Sequence, residues 1–215
     1  MQKVECEALL FDLDGTLVNS MTCIEYAWRI WCTKHNIDFD DAWKRIQGQR
    51  AGDSIRMLAP HLDLAIEVAE LEEAEVTCTE GLIPVEGALE LLDLLPKERW
   101  AVVTSGALRL ASHRLRHVGI NKPEVFVTAE DVREGKPHPE CYLRAAEMLG
   151  VSPEKCIVVE DAPAGINAGL AAGMKVLALS TTYSEPELSN AHYCIKDFRQ
   201  LTLEPSNGSL KFILS

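Results

Sequence analysis

The sequence predicts an α/β fold: a Rossmann-like parallel sheet core with an all-helical domain inserted after its first strand. Three observations predict it. Ala8-Leu9-Leu10-Phe11 runs straight into Asp12, the pattern of a strand buried on both faces. From Ser20 to about Leu82 the apolar residues recur at helical spacing, with no convincing strand. From Val85 onward, short apolar strands alternate with helical segments, which builds a parallel sheet covered on both sides. Residues 1–18 and 85–215 are therefore assigned to the core and residues 19–84 to the insertion.

Taken in order, Thr22 to His35 reads as a helix with Ile24, Ala27, Trp28, Ile30 and Trp31 on one side. Asp40 or Asp41 is expected to cap the next helix, which runs through Ile46, and Asp53 or Ser54 the one after it. Leu64 to Cys78 is a further amphipathic helix, with Leu64, Val68, Leu71 and Glu75 recurring along it, and Gly81 to Pro84 is the return linker. Then come a helix over Gly87 to Leu95, a strand over Trp100 to Thr104 and a helix from Leu108 to His117 stopped by Gly119. Val125 to Thr128 is a strand, and Pro139 to Leu149 a helix closed by Gly150, which suits the left-handed position. Cys156 to Val159 and Lys175 to Leu179 are strands around a helix from Gly165 to Ala172 that Gly173 ends. Near the C-terminus, Leu201 to Ser206 and Ser209 to Leu214 flank Asn207-Gly208, a hairpin signal.

Bulk composition narrows the function. A hydrophobic content of 47% with 25% charged residues suits a sizeable core and argues against disorder. The formal charge of -12 argues against a nucleic-acid surface, which needs clustered Lys and Arg. It leaves a small phosphorylated substrate open, because a metal ion and a few local cations draw one phosphate into an acidic protein. The 7 cysteines are scattered without a C-x-x-C pair, which predicts reduced thiols and a cytoplasmic setting. The first residues are too polar for a signal peptide, and no apolar run approaches the ~20 residues of a membrane span.

In a parallel sheet, ligands bind beyond the carboxyl ends of the strands. Asp12 and Asp14 follow the first strand, with Gly15 free to turn the backbone. Thr104-Ser105-Gly106 ends the second strand, and Gly135-Lys136-Pro137-His138-Pro139-Glu140 lies in the loop after the third. Glu160-Asp161 ends the fourth. Singly, each has an ordinary reading: a loop or capping acid, a satisfied β-threonine, a solvated lysine. Together, at successive strand ends, they point to one site. Carboxylates beside an apolar strand need a partner or a metal, so the site reads as magnesium-assisted phosphoryl transfer.

The order Asp-x-Asp-Gly-Thr-Leu, Thr-Ser-Gly, Gly-Lys-Pro and Glu-Asp-Ala-Pro-Ala-Gly resembles the haloacid dehalogenase-like hydrolase superfamily, over nearly the whole chain. The insertion resembles the cap of its first subfamily. Leu95 to Gly106 and Gly135 to Glu140 are similar to the glycerol-3-phosphatase and 2-deoxyglucose-6-phosphatase group and to bacterial sugar phosphatases. Asn19 departs from the pattern, standing where many relatives carry an acid.

The resemblance implies that Asp12 attacks phosphorus and that Asp14 protonates the leaving group, then accepts a proton from water. It implies Mg²⁺ held by Asp12, the Asp14 carbonyl and Asp161, with Glu160 one shell further out. Thr104, with Ser105 and Gly106, would bind phosphate oxygens, and Lys136 would neutralise their charge. In the cap loop from Ile46 to Ser54, Arg50 would meet hydroxyls or phosphate and Gln49 would read sugar hydroxyls. The plainer reading of that loop is a turn with a solvated arginine. Trp28, Trp31 and Trp43 read as cap packing, and His138 as a loop residue. The expected substrate is a small sugar or polyol phosphate. A cap that must move over the site suits a monomer. A β-phosphoglucomutase-type mutase and a non-catalytic phosphate-ester-binding module are the alternatives. No histidine stands shortly after Asp14 in the early cap to serve a mutase, Ile24 occupying that neighbourhood.

Overall fold

The structure of the chain is a computed structural model that describes residues 2–204 and 209–215. β1 (Gln2–Cys6) leads into β2 (Ala8–Phe11), all of whose residues are buried. β3 (Val18–Asn19) is followed by α1 (Met21–His35), α2 (Phe39–Ile46), α3 (Ala51–Leu58) and α4 (Leu64–Thr77). β4 (Ile83–Pro84) returns antiparallel beside β3. Strands and helices then alternate: α5 (Ala88–Leu94), β5 (Trp100–Val103), α6 (Leu108–His117), β6 (Val125–Val127) and α7 (Glu140–Leu149). They continue through β7 (Cys156–Glu160), α8 (Pro163–Ala171) and β8 (Lys175–Leu179). β9 (Tyr193–Ile195), β10 (Leu201–Glu204) and β11 (Leu210–Leu214) complete the described elements.

Among the described residues, six strands form a parallel sheet in the order β6-β5-β2-β7-β8-β9. β2 is flanked by β5 on one side and β7 on the other, so the residues following these strands lie side by side. Alternate residues of β2 serve opposite faces, as the period of a strand requires. Leu9 and Phe11 join one core layer, Ala8 and Leu10 the other. The cap has an apolar centre of its own, built from Ala27, Trp28, Trp31, Ile55 and Leu71.

The parallel sheet and the helical insertion match expectation; several details do not. Ile30 is 47% exposed, and the buried stripe of α1 is completed by Cys23 and Cys32 instead. Asp38, and neither Asp40 nor Asp41, caps α2 by accepting from the Asp41 N–H at 2.8 Å. Asp40 and Asp41 fall in the first turn, where their charge opposes the positive end of the helix. Helix α3 starts directly after Arg50 and runs through Asp53 and Ser54, the two expected caps.

Four strands have no counterpart in the sequence reading: the short pair β3 and β4, where a return linker was expected, and β1 and β9. β1 buries Val4 and Cys6 and exposes Glu5 between them, and it pairs antiparallel with β11, which also pairs with β10. β9 adds a parallel edge beside β8. The expected Asn207-Gly208 turn lies outside the described residues. No described helix is long and apolar enough to cross a membrane.

Candidate active site

Asp12, Thr104, Glu160 and Asp161 are delivered by the ends of three neighbouring strands, and Lys136 by the loop between β6 and α7. The Asp12 N–H continues the β2–β7 ladder by donating to Val159 O at 2.9 Å, which fixes the Asp12 side chain just past the sheet. Gly15 has φ +80°, and a Cβ there would overlap the Asp161 carboxylate. Glycine is thus required for both the turn and the close approach. On α8, Gly165 allows a similar close approach, since a Cβ there would overlap Glu160.

Lys136 sits behind Asp12 and is 5% exposed. Its ammonium donates to Asp12 Oδ1 at 2.5 Å, Glu160 Oε1 at 2.7 Å and Val103 O at 3.1 Å, matching three N–H groups with three acceptors. Glu160 is also saturated: Oε1 accepts from the Tyr142 hydroxyl at 2.8 Å, and Oε2 from the N–H groups of Asp161 and Ala162 at 3.1 and 3.2 Å. Asp161 Oδ1 accepts from Thr16 Oγ1 at 3.2 Å.

Burial pushes the Asp12 carboxyl well above its ordinary range against the pull of Lys136. Burial, then the neighbouring Glu160, raises Asp161 to about 7. Burial opposes the charge on Lys136, yet Asp12 and Glu160 carry its pKa well above that of a free lysine. Three buried carboxylates against one ammonium leave negative charge uncompensated. Oxygens of Asp12, Glu160 and Asp161 lie within 4.8 Å of one another, and an all-oxygen set of this kind suits a hard divalent cation.

Thr104 and its neighbours face the same space. The Thr104 N–H extends the β5–β6 ladder to Val127 O at 2.9 Å, and its Oγ1 accepts from the Gly106 N–H at 3.0 Å. Ser105 Oγ is turned to the cap, donating to Gly48 O at 3.0 Å.

Asp14 brings in residues the sequence reading did not single out. Its Oδ1 accepts from Ser20 Oγ at 2.6 Å and pairs with Arg114 Nη1 at 2.7 Å, while Arg114 Nη2 donates to Glu75 of α4. The signal for the arginine was present. Arg114 shares the buried stripe of α6 with Leu110, Ala111 and Leu115, an odd place for a charge without a partner. Burial raises the Glu75 carboxyl to about 7, with Arg114 opposing.

Between these strand ends and the cap lies a cavity of about 500 Å³, lined by Asp12, Asp14 and Thr104 below and by Trp43, Arg50 and Glu72 above. Gln49 also lines it, but its amide donates to Arg45 O at 2.9 Å. Arg50 is neither solvated nor aimed at the strand ends. Its guanidinium donates to Val132 O at 3.2 Å and Arg133 O at 3.0 Å, and its Nε to Asp53 at 2.6 Å, fastening the cap to the loop that carries Lys136. Trp31 donates to Glu67 at 2.9 Å inside the cap, while Trp28 and Trp43 pack there and reach the cavity wall. His138 is exposed beside Glu134 at 3.2 Å.

Comparison with known proteins agrees with this geometry. The family described as haloacid dehalogenase-like hydrolase matches residues 6–173. The chain is similar to hexitol phosphatase A of Escherichia coli, 42% identical over 213 residues that cover 96% of this chain and 99% of that protein. It is similar to glycerol-1-phosphate phosphohydrolase 2 of Saccharomyces cerevisiae, 41% identical over 192 residues, 84% of this chain and 77% of the other. Among solved structures, a hydrolase from Pseudomonas syringae superposes with a TM-score of 0.80 at 27% identity, covering 88% of this chain and 93% of that one.

Proposed function

The chain belongs to the haloacid dehalogenase-like hydrolases and is a phosphoric monoester hydrolase; from that premise we propose a Mg²⁺-dependent phosphatase acting on small sugar or polyol phosphates. One observation carries the reading: Asp12 and Asp14 leave the same strand to face one cavity, with Lys136 fixed on Asp12 Oδ1 and Asp161 alongside. The names of the hexitol and glycerol phosphate relatives support the substrate class.

In the first half-reaction an Asp12 oxygen bonds to phosphorus as the ester P–O bond breaks, and Asp14 gives its proton to the leaving oxygen. In the second, water attacks the phosphorus of the aspartyl-phosphate and passes a proton to Asp14, releasing phosphate and restoring the Asp12 carboxylate. Lys136 holds Asp12 in line and offsets charge there. Thr104 and the N–H groups of Ser105 and Gly106 receive the phosphoryl oxygens, which requires the Gly106 N–H to leave Thr104 Oγ1.

The side chains of Asp12 and Asp161 and the Asp14 carbonyl would hold Mg²⁺. Glu160, with both oxygens already engaged, steadies them from outside. The cation supplies the positive charge that the buried carboxylates lack and that a phosphate dianion demands.

The test is phosphate release from a panel of hexose, hexitol and glycerol phosphates, with Mg²⁺ and with EDTA. The expected result is release with Mg²⁺, loss in chelator and recovery on adding the metal back. Full turnover in EDTA sinks the metal assignment. Isomer formation without free phosphate replaces hydrolysis by a mutase reaction.

A further inference from the structure

The two oxygens of the Asp14 carboxylate are not equivalent. Oδ1 accepts from Ser20 Oγ at 2.6 Å and faces Arg114 Nη1 at 2.7 Å, whereas among the described residues no hydrogen bond reaches Oδ2. Oδ2 is turned toward the phosphate-facing turn: a Cβ placed on Gly106 would lie 3.9 Å from it and 3.3 Å from Thr104 Oγ1. The arginine that makes this distinction comes from α6 of the core, and its other amino group is held by Glu75 from α4 of the cap. Arg114 and Glu75 are 2% and 7% exposed. A buried ion pair is a poor source of stability, because desolvation offsets the attraction. Stability alone does not explain a clasp closed across the seam between two bodies, on the proton-carrying residue.

We propose that Arg114 is a positioning residue for Asp14, and that Glu75 makes its grip depend on the cap being seated. The inference rests on the phosphatase reading above and deepens it. With Oδ1 clasped by Arg114 and Ser20, the carboxyl cannot rotate. Oδ2 is then the atom that gives its proton to the leaving oxygen as the P–O bond breaks and the bond to Asp12 forms. When α4 moves away, Arg114 loses one of its two carboxylate partners and the alignment is released. Proton transfer is thereby confined to the state in which the cap covers the site.

The consequence concerns the leaving group. An alkoxide from a sugar or polyol needs a proton to depart, while p-nitrophenolate departs without one. Loss of Arg114 therefore slows alkyl esters selectively. The experiment compares kcat/KM, which reports the first phosphoryl transfer, for p-nitrophenyl phosphate and for a polyol or hexose phosphate that the wild type hydrolyses, both with Mg²⁺.

In Arg114→Met the alkyl ester should lose about 10²-fold, the scale of general-acid assistance, and the aryl ester less than about fivefold. Arg114→Lys should restore part of the alkyl rate, and Glu75→Gln should reproduce the selectivity at about tenfold. Because a lone Arg114→Met leaves Glu75 buried without its partner, the double variant Arg114→Met/Glu75→Gln is measured beside it; it leaves no buried charge at position 75 and should show the same selective loss. Equal losses on both esters, or a double variant that does not fold, overturn the proposal by making the clasp structural. A wild type that releases phosphate from neither ester overturns the phosphatase reading itself, and the two failures are distinct.

Discussion

The two walls of the cavity are built on different terms. On the core side, Asp12 and Asp161 directly follow strands of one sheet, Glu160 ends one, and Lys136 reaches in from the loop after β6; all four are buried and held largely by each other. On the cap side, Gln49 and Arg50 occupy a loop between short helices, and their polar groups are bound to neighbouring carbonyls and to Asp53. The core wall has one geometry, set by hydrogen-bonded strands. The cap wall is set by side-chain ties, among them those from Arg50 and Ser105, and not by a backbone ladder. A phosphoryl group is common to every ester, so a rigid wall suits it; the remainder of the substrate varies, and an adjustable wall suits that.

The largest expected effect belongs to the rigid wall. Asp12→Asn should lower kcat/KM by at least about 10⁴-fold for every ester, the order found when a nucleophile is removed, in steady-state assays. Retention of more than a tenth of the activity would erase the distinction between the walls. A smaller effect belongs to the cap. Arg50→Gln cuts the ties to Val132 O and Arg133 O and should lower kcat/KM by about tenfold on aryl and alkyl esters alike, through loosened seating. A loss confined to one ester would recast Arg50 as a reader of that substrate.

The smallest effect sharpens the electrostatic side. Asp161 and Glu75 are each raised to about 7, chiefly by burial. A carboxyl with a raised folded-state pKa keeps its proton in the folded chain after the unfolded chain has lost it. Stability is therefore present at low pH and declines as pH rises from the unfolded value toward about 7. In EDTA, Tm should fall by about 5 °C between about pH 5 and about pH 7.5, with Mg²⁺ reversing much of the fall. A Tm that stays level or climbs over that interval contradicts the uncompensated charge at the site.

The same contrast decides what the sequence made legible. Residues directly after a parallel strand are placed by the backbone ladder, so Asp12, Thr104 and Asp161 could be located from chain order alone. Ser20 and Arg114 meet on Asp14, and Glu75 reaches Arg114 from the cap, through packing between segments far apart in the chain that no local pattern encodes. Glu75 did fall on the helical stripe with Leu71, and Arg114 on that of α6; an acid and a base on two apolar stripes was the readable hint. The misplaced caps have a similar cause. Phe39 begins α2 and selects Asp38 from three nearby aspartates, while α3 starts where Arg50 is anchored by core carbonyls. β1 escaped notice because its partner β11 comes from the far end of the chain.

Val18–Asn19 and Ile83–Pro84 run side by side, so the whole helical body hangs from one narrow neck. A body attached in this way is portable: it can be exchanged between related proteins without rewiring the sheet beneath. The transplant carries conditions at the seam: an acid arriving opposite Arg114, an arginine reaching Val132 O and Arg133 O, and a carbonyl for Ser105.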